Sequence, residues 1–222
     1  MLPLSFTTAR TARYLSLGEP GVGISHVWVC LHGHGQPVAE LAAQLQNLDT
    51  PDCLLILPEA LSRYDQPVDA NHDGTTDAAP RTNAAWFAAE TLLPDLTDLS
   101  TYLDALVAQV LAACPPAVPV TVLGYGHGAA AACRWLAGNS IAYERLILVA
   151  PVFPPEIDRR AMLVALPEKP VLVVSTTTDT YSPEAAGNGL MQDLLDVGLS
   201  ARQRLVDATG PLPLAALAGG VE

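Results

Sequence analysis

The chain has little positive charge, few aromatic residues and no long apolar run. Only 11 of its 222 residues are lysine or arginine, against 23 aspartates and glutamates, for a net charge of −12. A surface of that sign repels phosphate backbones and anionic membranes, which argues against a nucleic-acid partner. No stretch approaches the ~18 uninterrupted apolar residues of a membrane span, so none is expected. The start, MLPLSFTTARTARYLS, lacks the basic head and apolar core of a signal peptide. Cys30, Cys53, Cys114 and Cys133 show no CxxC or other metal spacing. They are expected as free, buried thiols in a reducing compartment, and the chain as cytoplasmic. The last shortage is histidine. The five are His26, His32, His34, His72 and His127, and residues 128–222 hold none.

Half of the residues are apolar and 15% are charged, a composition that suits a compact core rather than a disordered chain. No internal repeat or linker interrupts the sequence, so residues 1–222 read as one domain. Residues 4–8 and 11–17 read as an N-terminal β-ribbon. HVWVCL (26–31), CLLILP (53–58), VPVTVL (118–123), RLILVA (145–150) and VLVVS (171–175) are short apolar runs that predict buried strands. A further strand is expected near 201–206. Helices are expected between them. One presents Val38, Leu41, Leu45 and Leu48, and one presents Leu99, Leu103, Leu106, Val107, Val110 and Leu111. The Ala-rich segment 128–137 forms a third, and a fourth carries Leu190, Met191, Leu194 and Leu195. A long polar connection, 59–97, precedes the second. Strands that are apolar throughout and return through helices predict a mostly parallel sheet covered on both faces. Ligands of such sheets bind beyond the carboxyl ends of the strands.

Two strand ends carry the main signals. Leu31-His32-Gly33-His34-Gly35-Gln36 is a Gly-rich turn that lets a backbone N–H point into a site. Gly124-Tyr125-Gly126-His127-Gly128 joins a strand to a helix in the G-x-S-x-G frame of a nucleophile elbow, with Gly126 where serine belongs. With LPEALSRY (57–64), AWF (85–87), LGYGHGAAAA (123–132), RLILVAPVFPP (145–155) and VLVVSTTTD (171–179), the chain resembles the phospholipase/carboxylesterase branch of the α/β-hydrolases, which includes acyl-protein thioesterases. The resemblance implies an α/β-hydrolase fold and an ancestry of ester or thioester cleavage by a Ser-His-Asp triad. It places Gly126 at the nucleophile position, Asp179 at the acid position, and the N–H groups of His34 and His127 at the oxyanion hole. The triad histidine would follow the last strand, near 210–213, where the sequence is Gly-Pro-Leu-Pro. In a well-studied protease, losing either serine or histidine alone costs about 10⁶ in turnover. The resemblance therefore implies a catalytically inactive or very weak relative that keeps a pocket for a small acyl or ester-like ligand, or that serves a protein partner.

Other readings compete. His32 is expected as a structural histidine bonded to nearby backbone, and Trp86 as a packing residue or a wall of an acyl pocket. Cys133, Ser175, Ser182 and Tyr125 are the alternative nucleophiles of an unconventional hydrolase. Gly124-x-Gly126-x-x-Ala129 also fits a dinucleotide fingerprint, making the Gly124–Gly128 loop a candidate anion or nucleotide site, although no acid follows RLILVA to take a ribose hydroxyl. Separately, Asp69, Asn71, Asp73, Thr75 and Asp77 have the spacing of a Ca²⁺ loop, with Gly74 at its turn. Pro80 stands where the usual bidentate glutamate would be. A structural Ca²⁺ is the expectation there.

Overall fold

The computed structural model describes residues 4, 6–66, 81–176 and 184–206. In chain order the elements are β1 (Tyr14–Leu17), β2 (His26–Leu31), α1 (Val38–Gln44), β3 (Cys53–Pro58), β4 (Ser62–Gln66), β5 (Arg81–Ala85) and α2 (Leu92–Leu111). They continue as β6 (Val120–Tyr125), α3 (His127–Leu136), β7 (Arg145–Val149), α4 (Arg159–Val164), β8 (Val171–Thr176), α5 (Glu184–Asp196) and β9 (Ala201–Val206). Seven strands form one sheet in the order β1-β3-β2-β6-β7-β8-β9. All neighbours are parallel except β1, which runs antiparallel to β3. β4 and β5 form a separate antiparallel pair.

The expected sheet is present, and alternation along its strands explains its two covered faces. Val27, Val29 and Leu31 of β2 enter one apolar cluster, with Leu54 and Ile56 of β3 and Leu146 and Leu148 of β7. Trp28 and Cys30 enter a second, with Leu55, Leu57, Ile147 and Val149. α2 and α3 cover the first face. Leu96, Leu99, Leu103, Leu106, Val107 and Val110 are the buried stripe of α2. Alanines 129–132 are fully buried, and their small side chains let α3 approach the sheet closely. α1 covers the second face through Val38, Leu41 and Ala42. All four cysteines are free and buried. Among the described residues, no helix is long and apolar enough to cross a membrane.

Three expectations need correction. The N-terminal ribbon does not form: residues 6–13 adopt no strand, and Leu4 and Phe6 are 95% and 92% exposed. Tyr14–Leu17 pairs instead with Pro58–Leu55 at the sheet edge. An isolated two-stranded ribbon is marginal in water, whereas joining an existing sheet buries one side of the strand. The polar connection 59–97 is not structureless either, since β4 and β5 pair across it, Ser62 opposite Ala85 and Gln66 opposite Arg81. α2 begins at Leu92 rather than beyond 97, with Pro94 in the first turn, where its missing N–H costs nothing. Helix α4 was not expected, although Asp158 marks its start: its carboxylate accepts from the N–H of Ala161 at 3.0 Å.

Candidate active site

β2 and β6 are adjacent and parallel, Leu31 opposite Gly124, so the two glycine-rich turns emerge side by side. Their glycines are fixed by contact. A Cβ on Gly128 would lie 2.3 Å from the carbonyl oxygen of Leu31 and 2.6 Å from that of His32. One on Gly124 would lie 2.5 Å from the oxygen of Gly128 and 2.6 Å from Cα of Ala129. These are backbone atoms that cannot give way, so only glycine allows α3 to start against the end of β2.

Gly126 is a different case. Its φ of 55° and ψ of −121° place it in a region that side chains rarely adopt, the strand-to-helix turn of an elbow. A Cβ there would meet only Cα of Gly33, at 3.6 Å, which is ordinary contact. The turn is held by three backbone bonds: Gly126 N–H to Val149 O at 2.9 Å, Ala129 N–H to Gly126 O at 3.1 Å, and Val152 N–H to Gly126 O at 3.0 Å. Ala150, just past the neighbouring strand, also has a positive φ of 43°, so positive-φ residues follow two adjacent strands, strained at Ala150 and free of strain at Gly126. The turn has space for a side chain at this position, and Gly126 carries none.

The first turn is braced from below by His32, which is fully buried. The N–H of Ala60 can only donate, so it makes Nε2 of His32 the acceptor at 3.1 Å, and Nδ1–H donates to Gly33 O at 2.7 Å. Burial, partly opposed by that bond, lowers the His32 pKa from 6.5 to about 4. Trp86 packs against the ring, 4.9 Å between centroids, and its indole N–H donates to His32 O at 2.8 Å. His32 and Trp86 are thus the structural residues expected. Gln36 accepts from Gly33 N–H at 2.9 Å, and Gly35 N–H donates to Ala84 O at 3.0 Å. Of the successive N–H groups in this turn, His34's has no acceptor among the described residues, nor has that of His127 in the first turn of α3.

The side chains of His34 and His127 meet, ring centroids 5.0 Å apart and nearly edge to face. Phe87 stacks on His127 at 5.7 Å, and Tyr64 lies 6.4 Å from His34. Burial, with a smaller contribution from His34, holds the pKa of His127 below the ordinary histidine value. Phe87 and Tyr64 were missed in the sequence because the β4–β5 pairing brings them here. The run AWF was the one visible trace of it. Asp179 and the segment 210–213 lie outside the described residues, as do Ser182 and the loop Asp69, Asn71, Asp73, Thr75 and Asp77.

Two of the alternative nucleophiles among the described residues, Cys133 and Ser175, are buried. Cys133 is fully buried, and burial pushes its thiol up to about 12. Ser175 is also buried, and its Oγ accepts from Gln203 at 3.3 Å. Tyr125 packs against Gly33, where an added Cβ would meet its Cδ1 at 3.0 Å. β7 ends at Val149 and is followed by Ala150 and Pro151, so the strand beside the Gly124–Gly128 loop offers no acid to a ribose.

No family model matches the sequence, and no curated protein matches it. Solved structures do. Esterase PE8 superposes with a TM-score of 0.68 at 22% identity, over 94% of this chain and 96% of its own. Acyl-protein thioesterase 2 of Zea mays gives a TM-score of 0.62 at 19% identity, over 93% of this chain and 96% of its own. YahD, solved with malic acid, gives 0.60 at 14% identity, over 94% of this chain and 96% of its own. The architecture is therefore the α/β-hydrolase fold, and its structural neighbours include esterases and a thioesterase.

Proposed function

We propose that this chain is a non-hydrolytic member of the α/β-hydrolase structural class whose site binds a small acyl or carboxylate ligand instead of cleaving an ester. One observation carries the reading. The turn at Gly126 has the geometry of an elbow and room for a side chain, yet the residue has no nucleophile. The sequence adds that residues 128–222 hold no histidine, the usual base of such a triad. What remains are the two N–H groups of His34 and His127, Asp179 at the acid position, and the ring wall of Phe87 and Tyr64. Two N–H groups with no acceptor among the described residues, one of them in the first turn of a helix, favour an oxygen anion. A carboxylate presents such an oxygen without needing to react. Malic acid in the YahD structure supports a carboxylate as an occupant of this fold.

Two measurements test this. Purified protein should hydrolyse p-nitrophenyl acetate no faster than denatured protein, and Gly126→Ser alone should not create a working esterase. A turnover of ~1 s⁻¹ or more in the unmodified chain would point to an unrecognised base. With chelator present, adding acetate or malate should shift the backbone amide resonances of His34 and His127 before others. Unmoved resonances at tens of millimolar ligand would remove the binding half of the reading.

A further inference from the structure

This acidic chain carries a basic concavity. Arg10 and Arg13 of the N-terminal segment and Arg63 of β4 line one surface cavity together with Glu59, which follows β3. Three of the chain's 11 lysines and arginines thus share a cavity with a single carboxylate, a local surplus of two positive charges on a molecule of net charge −12. The carbonyl of Arg13 accepts from Glu59 N–H at 2.9 Å and from the Tyr102 hydroxyl at 2.8 Å, so the segment is fixed against the end of β3. Glu59 itself is 8% exposed, and its Oε2 has no hydrogen-bond donor among the described residues. Nε of Arg63 and Nε of Arg13 lie 3.2 and 3.6 Å from that oxygen, close enough for charge attraction but not aligned as donors. A buried carboxylate oxygen without a donor is costly and calls for a partner from outside the chain. A water molecule would supply the donor but would leave the two surplus charges unused.

We propose that Arg10, Arg13, Arg63 and Glu59 form a binding site for hydrogen phosphate, a tetrahedral dianion that keeps one proton. Guanidinium groups suit such an anion, because their fork of N–H donors meets two oxygens at once. An ionised carboxylate can only accept. Glu59 therefore repels an anion that is oxygen on every side and favours one that brings its own O–H. Together the two demands narrow the ligand. Sulfate and a phosphomonoester dianion carry the charge but no proton. An amino-acid zwitterion carries donors but no net charge to match the surplus. A metal cation would meet three guanidinium groups. Hydrogen phosphate supplies both a double negative charge and one P–OH. Arg10 and Arg13 belong to a segment without helix or strand, and Arg63 to β4, so the bound anion would tie that segment to the β4–β5 pair. Neither Gly126 nor the N–H groups of His34 and His127 take part.

Calorimetry at pH 7.5 on the full chain, freed of phosphate, sulfate and metal ions, compares three anions of like charge. Inorganic phosphate should bind at one per chain. Sulfate, and methyl phosphate, which is mainly an unprotonated dianion at that pH, should bind at least about tenfold more weakly, the equivalent of one lost hydrogen bond to a charged group. Arg10→Ala and Arg63→Ala should each weaken phosphate at least about tenfold for the same reason. Glu59→Gln offers an amide N–H in place of a bare oxygen, so it should erase the preference and let sulfate bind as well as phosphate. Absence of phosphate binding at tens of millimolar overturns the site, as does equal binding of phosphate and sulfate by the unmodified chain. Phosphate affinity unaltered in both arginine variants would place the anion elsewhere, the N–H groups of His34 and His127 included, and overturns it too. If Glu59→Gln fails to fold, the anion preference of the unmodified chain and Arg10→Ala, a change at an exposed residue outside any helix or strand, still decide. Acetate or malate at His34 and His127 is read from their amide resonances, so either reading can fail without the other.

Discussion

His32 shows how one buried side chain sets a property of the whole protein. Its ring is neutral, accepts from Ala60 and donates to Gly33. Protonating Nε2 would turn that acceptor into a second donor facing an N–H, inside the core. The pKa falls from 6.5 to about 4, so between these values the unfolded chain binds a proton that the folded chain refuses. The stabilising contribution is therefore complete above pH 6.5 and is lost as pH falls from there towards 4. Each pH unit is worth about 1.4 kcal/mol, so about 2 kcal/mol should disappear between pH 6.5 and 5. The burial that lowers His26 and His127 acts in the same direction. In His32→Phe this component should vanish, at a fixed cost of about 1–3 kcal/mol for leaving the Ala60 N–H unpaired. Urea unfolding at pH 7.5 and pH 5 measures both. Parallel losses in the two proteins would mean that His32 is not the acid-sensitive group. Gly128→Ala is the steric counterpart. Its methyl would press on the Leu31 and His32 carbonyls, and a collision with fixed backbone should cost about 3 kcal/mol or more and separate α3 from β2. A melting temperature within a degree of the unmodified protein would contradict that packing.

At the scale of elements, legibility tracked how local the cause was. The core strands were readable because a strand buried on both faces must be apolar along its buried length, and CLLILP and the LILV that follows Arg145 are. The elbow was readable because Gly124 and Gly128 answer a collision between neighbouring backbones. The β4–β5 pair was not, since SRYDQ and RTNAA are polar and gain their strand state only from each other. With them went Tyr64 and Phe87, two walls of the site. The helix α4 was overlooked although Asp158 announces it, because six residues give too few turns for a periodic stripe. The β4–β5 pairing bears on the calcium loop as well. Gln66 and Arg81 are paired, and the segment between them, 67–80, lies outside the described residues. We propose that Asp69, Asn71, Asp73, Thr75 and Asp77 hold Ca²⁺ there, with modest affinity, about 10⁻⁴ M, for want of a twelfth-position glutamate. Calorimetry should detect it in chelator-treated protein and not in Asp73→Ala. Absence of heat and of any melting shift at millimolar Ca²⁺ would leave an ordinary acidic turn.

For the molecule as a whole, the decisive quantity is the excess of acid. A net charge of −12 spread over 222 residues repels itself most when the chain is compact, so folding works against the charge and unfolding relieves it. The exposed ion pairs do little to offset this. Arg160 with Asp196 joins two exposed side chains at 3.5 Å, a kind of pair worth about 0–1 kcal/mol. Arg13 and Arg63 both serve the same buried acid, Glu59, at 3.6 and 3.2 Å, and neither contact is a hydrogen bond to its Oε2. Self-repulsion reaches across the surface over distances longer than these pairs, and salt removes the long-range part first, since the Debye length shrinks from about 30 Å at 0.01 M to about 8 Å at 0.15 M. The melting temperature should therefore rise by a few degrees between 10 and 150 mM NaCl at pH 7.5, without any specific ion being required, and KCl should act like NaCl. The comparison belongs at pH 7.5, where His32 is neutral in both folded and unfolded chains and contributes no salt-dependent proton uptake. A fall in melting temperature over that range would show that the ion pairs, and not the repulsion of unpaired carboxylates, dominate the electrostatics of this fold.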